Sequence, residues 1–240
     1  ILIIGFVWPE PNSTAAGQRM LHLIQLFLSQ NWKVSFTSPA SYSDKSIDLT
    51  TLGVTTFPTE INNIIFDNQI KESSPDIVVF DRYITEEQFG WKVTKHCPNA
   101  LKILNTEDLH CLRKVRQDTF KNNTGFTIKK LYQSDITKRE IASIYRCDLS
   151  LIISDYEISL LNKHFKIDDS LLFYLPFLFD PISEMNKQNW PEYEDRQHFI
   201  TIGNFKHEPN WNSVQYLKDT IWPLIKKELP KAELHIYGAY

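Results

Sequence analysis

The sequence predicts an α/β fold built on open, doubly wound parallel sheets, and three observations carry that reading. Short apolar runs alternate with longer helical patterns from the first residue onward. Most of those runs are continuous rather than alternating, as in strands buried on both faces. Three helix starts carry the spacing of a capping box, in which side chains satisfy the orphan N–H groups of the first turn: Thr85-x-x-Gln88, Thr137-x-x-Glu140 and Ser154-x-x-Glu157. Regular alternation of strand and helix implies right-handed crossovers and a parallel sheet.

In chain order, strands are expected at 1–7, 33–37, 54–57, 76–80, 101–104, 149–153 and 171–175. The helix expected over 15–30 places Met20, Leu23, Ile24, Phe27 and Leu28 on one stripe, with Gln18, His22 and Gln25 off it. Residues 176–197 break the rhythm with three prolines, acidic residues and no periodicity. They read as a linker. A new strand at 198–202 follows, then a helix capped by Asn210 with Val214, Leu217, Ile221 and Ile225 inward, bent at Pro223 and ended by Pro230. A last strand comes after it. Three segments result: a complete sheet unit over 1–180, a linker over 181–197, and the first β-α-β unit of a second sheet over 198–240. Half a parallel sheet does not stand alone, and no initiator Met opens the chain, so the sequence reads as part of something longer.

Composition narrows the function classes. At 240 residues with 42% hydrophobic and 13% aromatic content, the chain is globular rather than disordered. A net charge of -3 gives no global reason to expect a nucleic-acid partner. The three cysteines are odd in number and lack metal-type spacing, which fits reduced thiols and a cytoplasmic location. No zinc, calcium or nucleophile-elbow signature is present, so no metal is expected.

Ligands in doubly wound folds gather beyond the carboxyl ends of strands. After the first strand, WPEPNSTAAGQRM lacks the G-x-G-x-x-G of a dinucleotide dehydrogenase. Gly17, Gln18 and Arg19 still offer a helix start to an anion, the alternative being a glycine that permits close packing. After the fourth strand, Asp81 and Arg82 form either a cleft-lining pair or a structural one. After the fifth, Glu107, Asp108 and His110 crowd into one turn where an acid, a base or a sugar-hydroxyl acceptor would sit. Adjacent helical residues do not share a face, so one of the two carboxylates is expected to cap the helix. In the second unit Gly203, Asn204 and Lys206 end one strand, and Gly238 ends the next. Glycine there would let backbone approach a diphosphate, and Lys206 would neutralise it. Basic residues between Arg113 and Arg139 read as a solvated helical face, the alternative being a basic rim for an anionic lipid surface or a phosphate-bearing acceptor.

At FITIGNFKHEPNWNSVQYLKDTIWPLIKKELPKAELHIYGA, ILNTEDLHCLRKVRQ and IYRCDLSLIISDYEISLL the chain resembles the retaining glycosyltransferases of family 4. That resemblance implies the GT-B architecture: a Rossmann-like acceptor-side domain, then a Rossmann-like donor-binding domain, here only begun. It further implies a nucleotide-sugar donor as substrate, no cofactor or obligatory metal, and a glycan, lipid-linked or small-molecule acceptor. Peripheral contact with the inner face of the membrane would be compatible. Carried over by position, Gly17 faces the donor phosphates, Glu107 holds the active-site position after the fifth strand, and Gly203 and Lys206 lie on the donor side. Many members have His where this chain has Glu107, and an Arg often stands where it has Asn204. The acidic stretch that grips the donor would lie beyond Tyr240, so these residues alone are expected not to catalyse transfer. A nucleotide-sugar epimerase or hydrolase, or a sugar-binding module without chemistry, would share the pattern.

Overall fold

The computed structural model describes residues 1–179 and 181–238. By contacts the chain divides into two units, Ile1–Pro11 with Ala16–Leu178, and Asn12–Ala15 with Phe179–Tyr240.

In the first unit seven parallel strands form one sheet: β1 (Leu2–Ile4), β2 (Ser35–Ser38), β3 (Thr55–Pro58), β4 (Ile77–Asp81), β5 (Leu101–Asn105), β6 (Leu149–Ile152) and β7 (Leu172–Tyr174). Their spatial order is β3-β2-β1-β4-β5-β6-β7, so the winding reverses between β1 and β4. The helices are α1 (Ala15–Ser29), α2 (Ile64–Ser73), α3 (Arg82–His96), α4 (His110–Lys121), α5 (Ile128–Gln133), α6 (Asp135–Arg146) and α7 (Asp155–Leu160). Alternation along β1 sends Leu2 and Ile4 into one apolar core and Ile3 into another. Along β4 it does the same for Val78 and Phe80 against Val79. Both faces are therefore covered, which explains the unbroken apolar runs.

The expected strand over 1–7 stops at Ile4. Beyond it the Gly5 N–H still bonds Thr37 O at 2.8 Å, but the Phe6 N–H turns to the Asp81 carboxylate at 3.2 Å. Two of the three capping boxes are corrected. Thr85 lies inside α3 and donates back to the carbonyls of Asp81 and Arg82, both at 3.0 Å. Thr137 lies inside α6, which starts at Asp135 after Ser134. Only Ser154 caps as expected, accepting from the Glu157 N–H. Glu140 and Glu157 do cap a helix, but it is α4, which precedes both of them in sequence: Glu140 accepts from the N–H groups of His110 (3.0 Å) and Cys111 (2.8 Å), and Glu157 from Leu109 (3.0 Å). Local spacing signalled a cap, and tertiary packing chose its recipient.

In the second unit, β8 (His198–Ile202) and β9 (Glu233–Tyr237) pair in parallel, with His198 opposite Glu233 and Ile202 opposite Tyr237. Before β8, a short helix α8 (Glu184–Gln188) lies within the stretch expected to be irregular. Between the strands run α9 (Glu208–Tyr216), a π-helical stretch Leu217–Ile221 and α10 (Trp222–Glu228). Asn210 does not cap α9; the N-cap is His207, and Asn210 sits one turn in. The wide π turn lies just before Pro223, whose ring would crowd a regular helical carbonyl and whose missing N–H breaks the ladder. No helix of the described residues is long and apolar enough to cross a membrane.

Candidate functional site

The carboxyl ends of β1, β4 and β5 meet at the reversal of winding, where doubly wound sheets place their ligands. Four charged side chains, Arg19, Asp81, Arg82 and Glu107, converge there with Asn105. Asn105 ends β5 and is fully buried; its Nδ2 donates to Glu107 Oε1 at 2.8 Å and lies 3.5 Å from Asp81 Oδ1. Asp81, at the end of β4, also receives the Phe6 N–H and lies 4.0 Å from Arg82 Nε. The Arg82 guanidinium stacks over the Phe6 ring at 4.9 Å.

Arg19 departs most from expectation. Expected beside an anion-binding helix start, it is completely buried. Its Nη1 donates to Pro176 O at 2.9 Å, its Nε points to Asn105 Oδ1 at 3.4 Å, and it lies over the Phe177 ring. Arg19 Nη2 and Arg82 Nε are buried without a hydrogen-bond partner among the described residues. A buried guanidinium N–H left unmatched is costly, and it stands ready for an acceptor.

The backbone adds a second mark. Arg82 (φ 73°) and Glu107 (φ 62°), the first and second residues past their strands, are both left-handed. A residue with a Cβ adopts that conformation at a cost of about 1 kcal/mol or more, and such positions concentrate at functional sites.

Electrostatics follow from burial. Glu107 is lifted to about 7, chiefly by loss of water and further by the Asp81 charge, while Asn105, Arg82 and Arg19 hold it down. Asp81 is raised as well, again mainly by burial. Two carboxyls with so little water do not both ionise readily near neutrality.

The remaining expected residues lie around this centre or elsewhere. Asp108 turns away from Glu107 to pair with Arg113 at 3.0 Å, with His110 Nε2 at 3.6 Å. Neither carboxylate caps α4, because Glu140 and Glu157 already do. His110 packs edge-on against Tyr83, and burial drives its pKa down to about 3, so it stays neutral. Gln18 bonds His22 one turn along α1 (2.8 Å). Gly17 is a packing glycine: a Cβ there would lie 2.5 Å from the Glu10 backbone nitrogen. The basic stretch is largely paired, Lys114 with Asp118, Lys138 with Asp135, and Arg139 with Glu87.

In the second unit the Gly203 N–H is spent on Tyr237 O at 3.0 Å, continuing the β8–β9 ladder. A Cβ on Gly238 would fall 2.0 Å from Gly203 O, so that glycine lets β8 and β9 close together. Asn204 Oδ1 accepts from the Lys206 N–H at 3.0 Å and Asn204 O from Asn210 Nδ2 at 3.1 Å, which fixes the loop after β8.

Asn105 is the residue that sequence reasoning passed over. Its signal was an amide ending the strand LKILN, two positions before Glu107.

No protein-family model matches the sequence, and no curated protein matches it. Solved structures do. The lipopolysaccharide outer core galactosyltransferase WaaB in its apo form aligns with a TM-score of 0.52 at 14% identity, over 100% of this chain and 62% of that one. The fold is GT-B. An alpha-glucosyltransferase in complex with UDP and a 13-mer DNA containing a HMU base aligns at 0.48 and 10% identity, over 100% and 67%. The calicheamicin glycosyltransferase CalG4 aligns at 0.45 and 12% identity, over 98% and 69%. The chain thus spans about two thirds of the length of these GT-B proteins.

Proposed function

We propose that this chain belongs to a retaining glycosyltransferase that moves a sugar from a nucleoside diphosphate donor to a glycan, lipid-linked or small-molecule hydroxyl. One observation carries the reading. At the winding reversal of a GT-B fold, two buried guanidinium N–H groups lack acceptors beside a carboxyl poised near neutrality. Leaving a buried guanidinium N–H unmatched is costly, and here two such donors and the carboxyl gather at one strand-end site.

In the transfer, the bond from the anomeric carbon to the diphosphate oxygen breaks, and a bond from the acceptor oxygen forms on the same face of the sugar. The bonding pair leaves with the diphosphate. Arg19 and Arg82 are fixed donors for sugar or acceptor oxygens, already arranged and poor in competing water. Glu107, near its midpoint at neutral pH, hydrogen-bonds the reacting hydroxyl and takes or shares its proton. Arginine and backbone donors stabilise the departing charge, so no metal is required by this scheme.

The test is transfer by the natural full-length protein across a panel of uridine and guanosine diphosphate sugars, with anomeric configuration read by NMR. Product of retained configuration is expected, and Glu107→Gln should lower kcat by roughly a hundredfold or more with the fold intact. Unchanged turnover in that variant removes Glu107 from the site. Epimerised donor without transfer rejects the transferase reading itself.

A further inference from the structure

A separate cluster lies on the second unit, away from the loops discussed above. His198 opens β8, Glu233 opens β9, and the parallel register sets them opposite each other. Side chains alternate along a strand, so His235, two residues beyond Glu233, points to the same face as both. Glu233 Oε2 is 3.0 Å from His235 Nε2 and 3.7 Å from His198 Nδ1, and one ligand atom from each of the three lies within 4.8 Å of the others. The two imidazoles stack with centroids 4.5 Å apart.

We propose that His198, Glu233 and His235 bind one zinc ion. A tetrahedral ion with ligand bonds of about 2.0–2.2 Å spaces its ligand atoms roughly 3.3 Å apart. The two separations to Glu233 bracket that figure and the third is within 4.8 Å, so the two stacked imidazoles must turn toward a common point to complete the triad. Two imidazoles and one carboxylate are borderline donors that favour zinc over magnesium or calcium. His235 also has the outer partner a ligating imidazole needs: with Nε2 toward the ion, Nδ1 lies 3.2 Å from the Tyr237 hydroxyl, which orients the ring. All three side chains reach solvent, with 51%, 61% and 35% exposure in the order named, leaving an entry path and a fourth position for water.

The place of the cluster defines its role. It sits toward the amino ends of β8 and β9, whereas Gly203 and Gly238 follow their carboxyl ends, roughly 10 Å from His235 and roughly 16 Å from His198 and Glu233 at the usual strand rise. The ion is therefore a clip between two strands rather than a participant in chemistry at the loops.

Titration of metal-stripped, untagged protein with Zn²⁺ alone, followed by calorimetry, tests the proposal. One equivalent is expected to bind and to raise the thermal midpoint. His198→Ala and His235→Ala should each weaken binding by at least about tenfold, since even outer-shell losses reach that size. Both positions are solvent-facing, so circular dichroism should find these variants folded. Cobalt substitution should give visible bands of nitrogen and oxygen ligation without thiolate charge transfer, because Cys97, Cys111 and Cys147 are buried. Undiminished Zn²⁺ binding by both single variants, a thiolate signature, or no binding by the parent chain would each overturn it.

Discussion

Two groups of buried carboxyls lie on either side of the turn that joins β5 to α4. At the start of α4, Glu140 is lifted to about 7 by burial, and burial raises Glu157. At the winding reversal, Glu107 is lifted to about 7 and Asp81 is raised, again mainly by burial. By pKa alone the two groups are indistinguishable. They differ in what is left unmatched among the described residues: an acceptor, Glu157 Oε2, at the start of α4, and two guanidinium donors at the winding reversal. Glu140 fills both oxygens with backbone N–H groups and closes a helix end. Glu107 takes a single side-chain amide among the described residues and stands beside Arg19 and Arg82, each with an orphan N–H. A perturbed carboxyl marks burial; unmatched donors beside it mark a site.

The largest effect should come from breaking the helix cap. Glu140→Ala strands two buried N–H groups at about 1–3 kcal/mol each, so a loss near 3 kcal/mol is expected in urea unfolding. A loss below about 1 kcal/mol would mean that water replaces the carboxylate, and that α4 is less closed than its cap suggests.

Glu107→Gln should act in the opposite direction. A carboxyl whose folded pKa is raised holds its proton more tightly folded than unfolded, so its stabilising contribution is full below about 4.5 and is lost as pH rises to about 7. Glutamine mimics the protonated form. The variant should match the parent at pH 4 and exceed it by about 1–3 kcal/mol above pH 7. If unfolding curves at several pH values show no such widening, Glu107 ionises freely and the contrast with Glu140 fails.

Arg82→Gly should have the smallest effect. Glycine relieves the left-handed strain but loses the contact over Phe6 and gains unfolded-state freedom, so the net should stay within about 1 kcal/mol. A cost of several kcal/mol would recast Arg82 as the structural counter-ion of Asp81.

Much of the fold was legible because strand burial and helix amphipathicity are local patterns. The apolar runs that became β4, β5, β6 and β8 were located to within one residue at each end, and the glycine-ended turns were found where the chain makes them. The turn after β5 was also legible as a place of chemistry, since Glu107 follows an apolar strand directly. What one dimension hid was the destination of each side chain. Thr137-x-x-Glu140 has the spacing of a local cap, yet Glu140 serves a helix thirty residues earlier. Arg19 reads as a cation offered to an anion at a helix start, yet it is buried among Asn105, Pro176 and Phe177, which lie far along the chain.

The sequence by itself determined the α/β alternation, the two sheet-forming segments and the strand ends at which polar residues collect, because these follow from hydrophobic period and turn chemistry. Only the tertiary structure decided that β1, β4 and β5 converge, that Arg19 and Arg82 keep unmatched donors, and that His198 faces Glu233 and His235. Those facts depend on strand order and register, which bring together residues that share no local pattern, and on burial, which sets the charge each one carries.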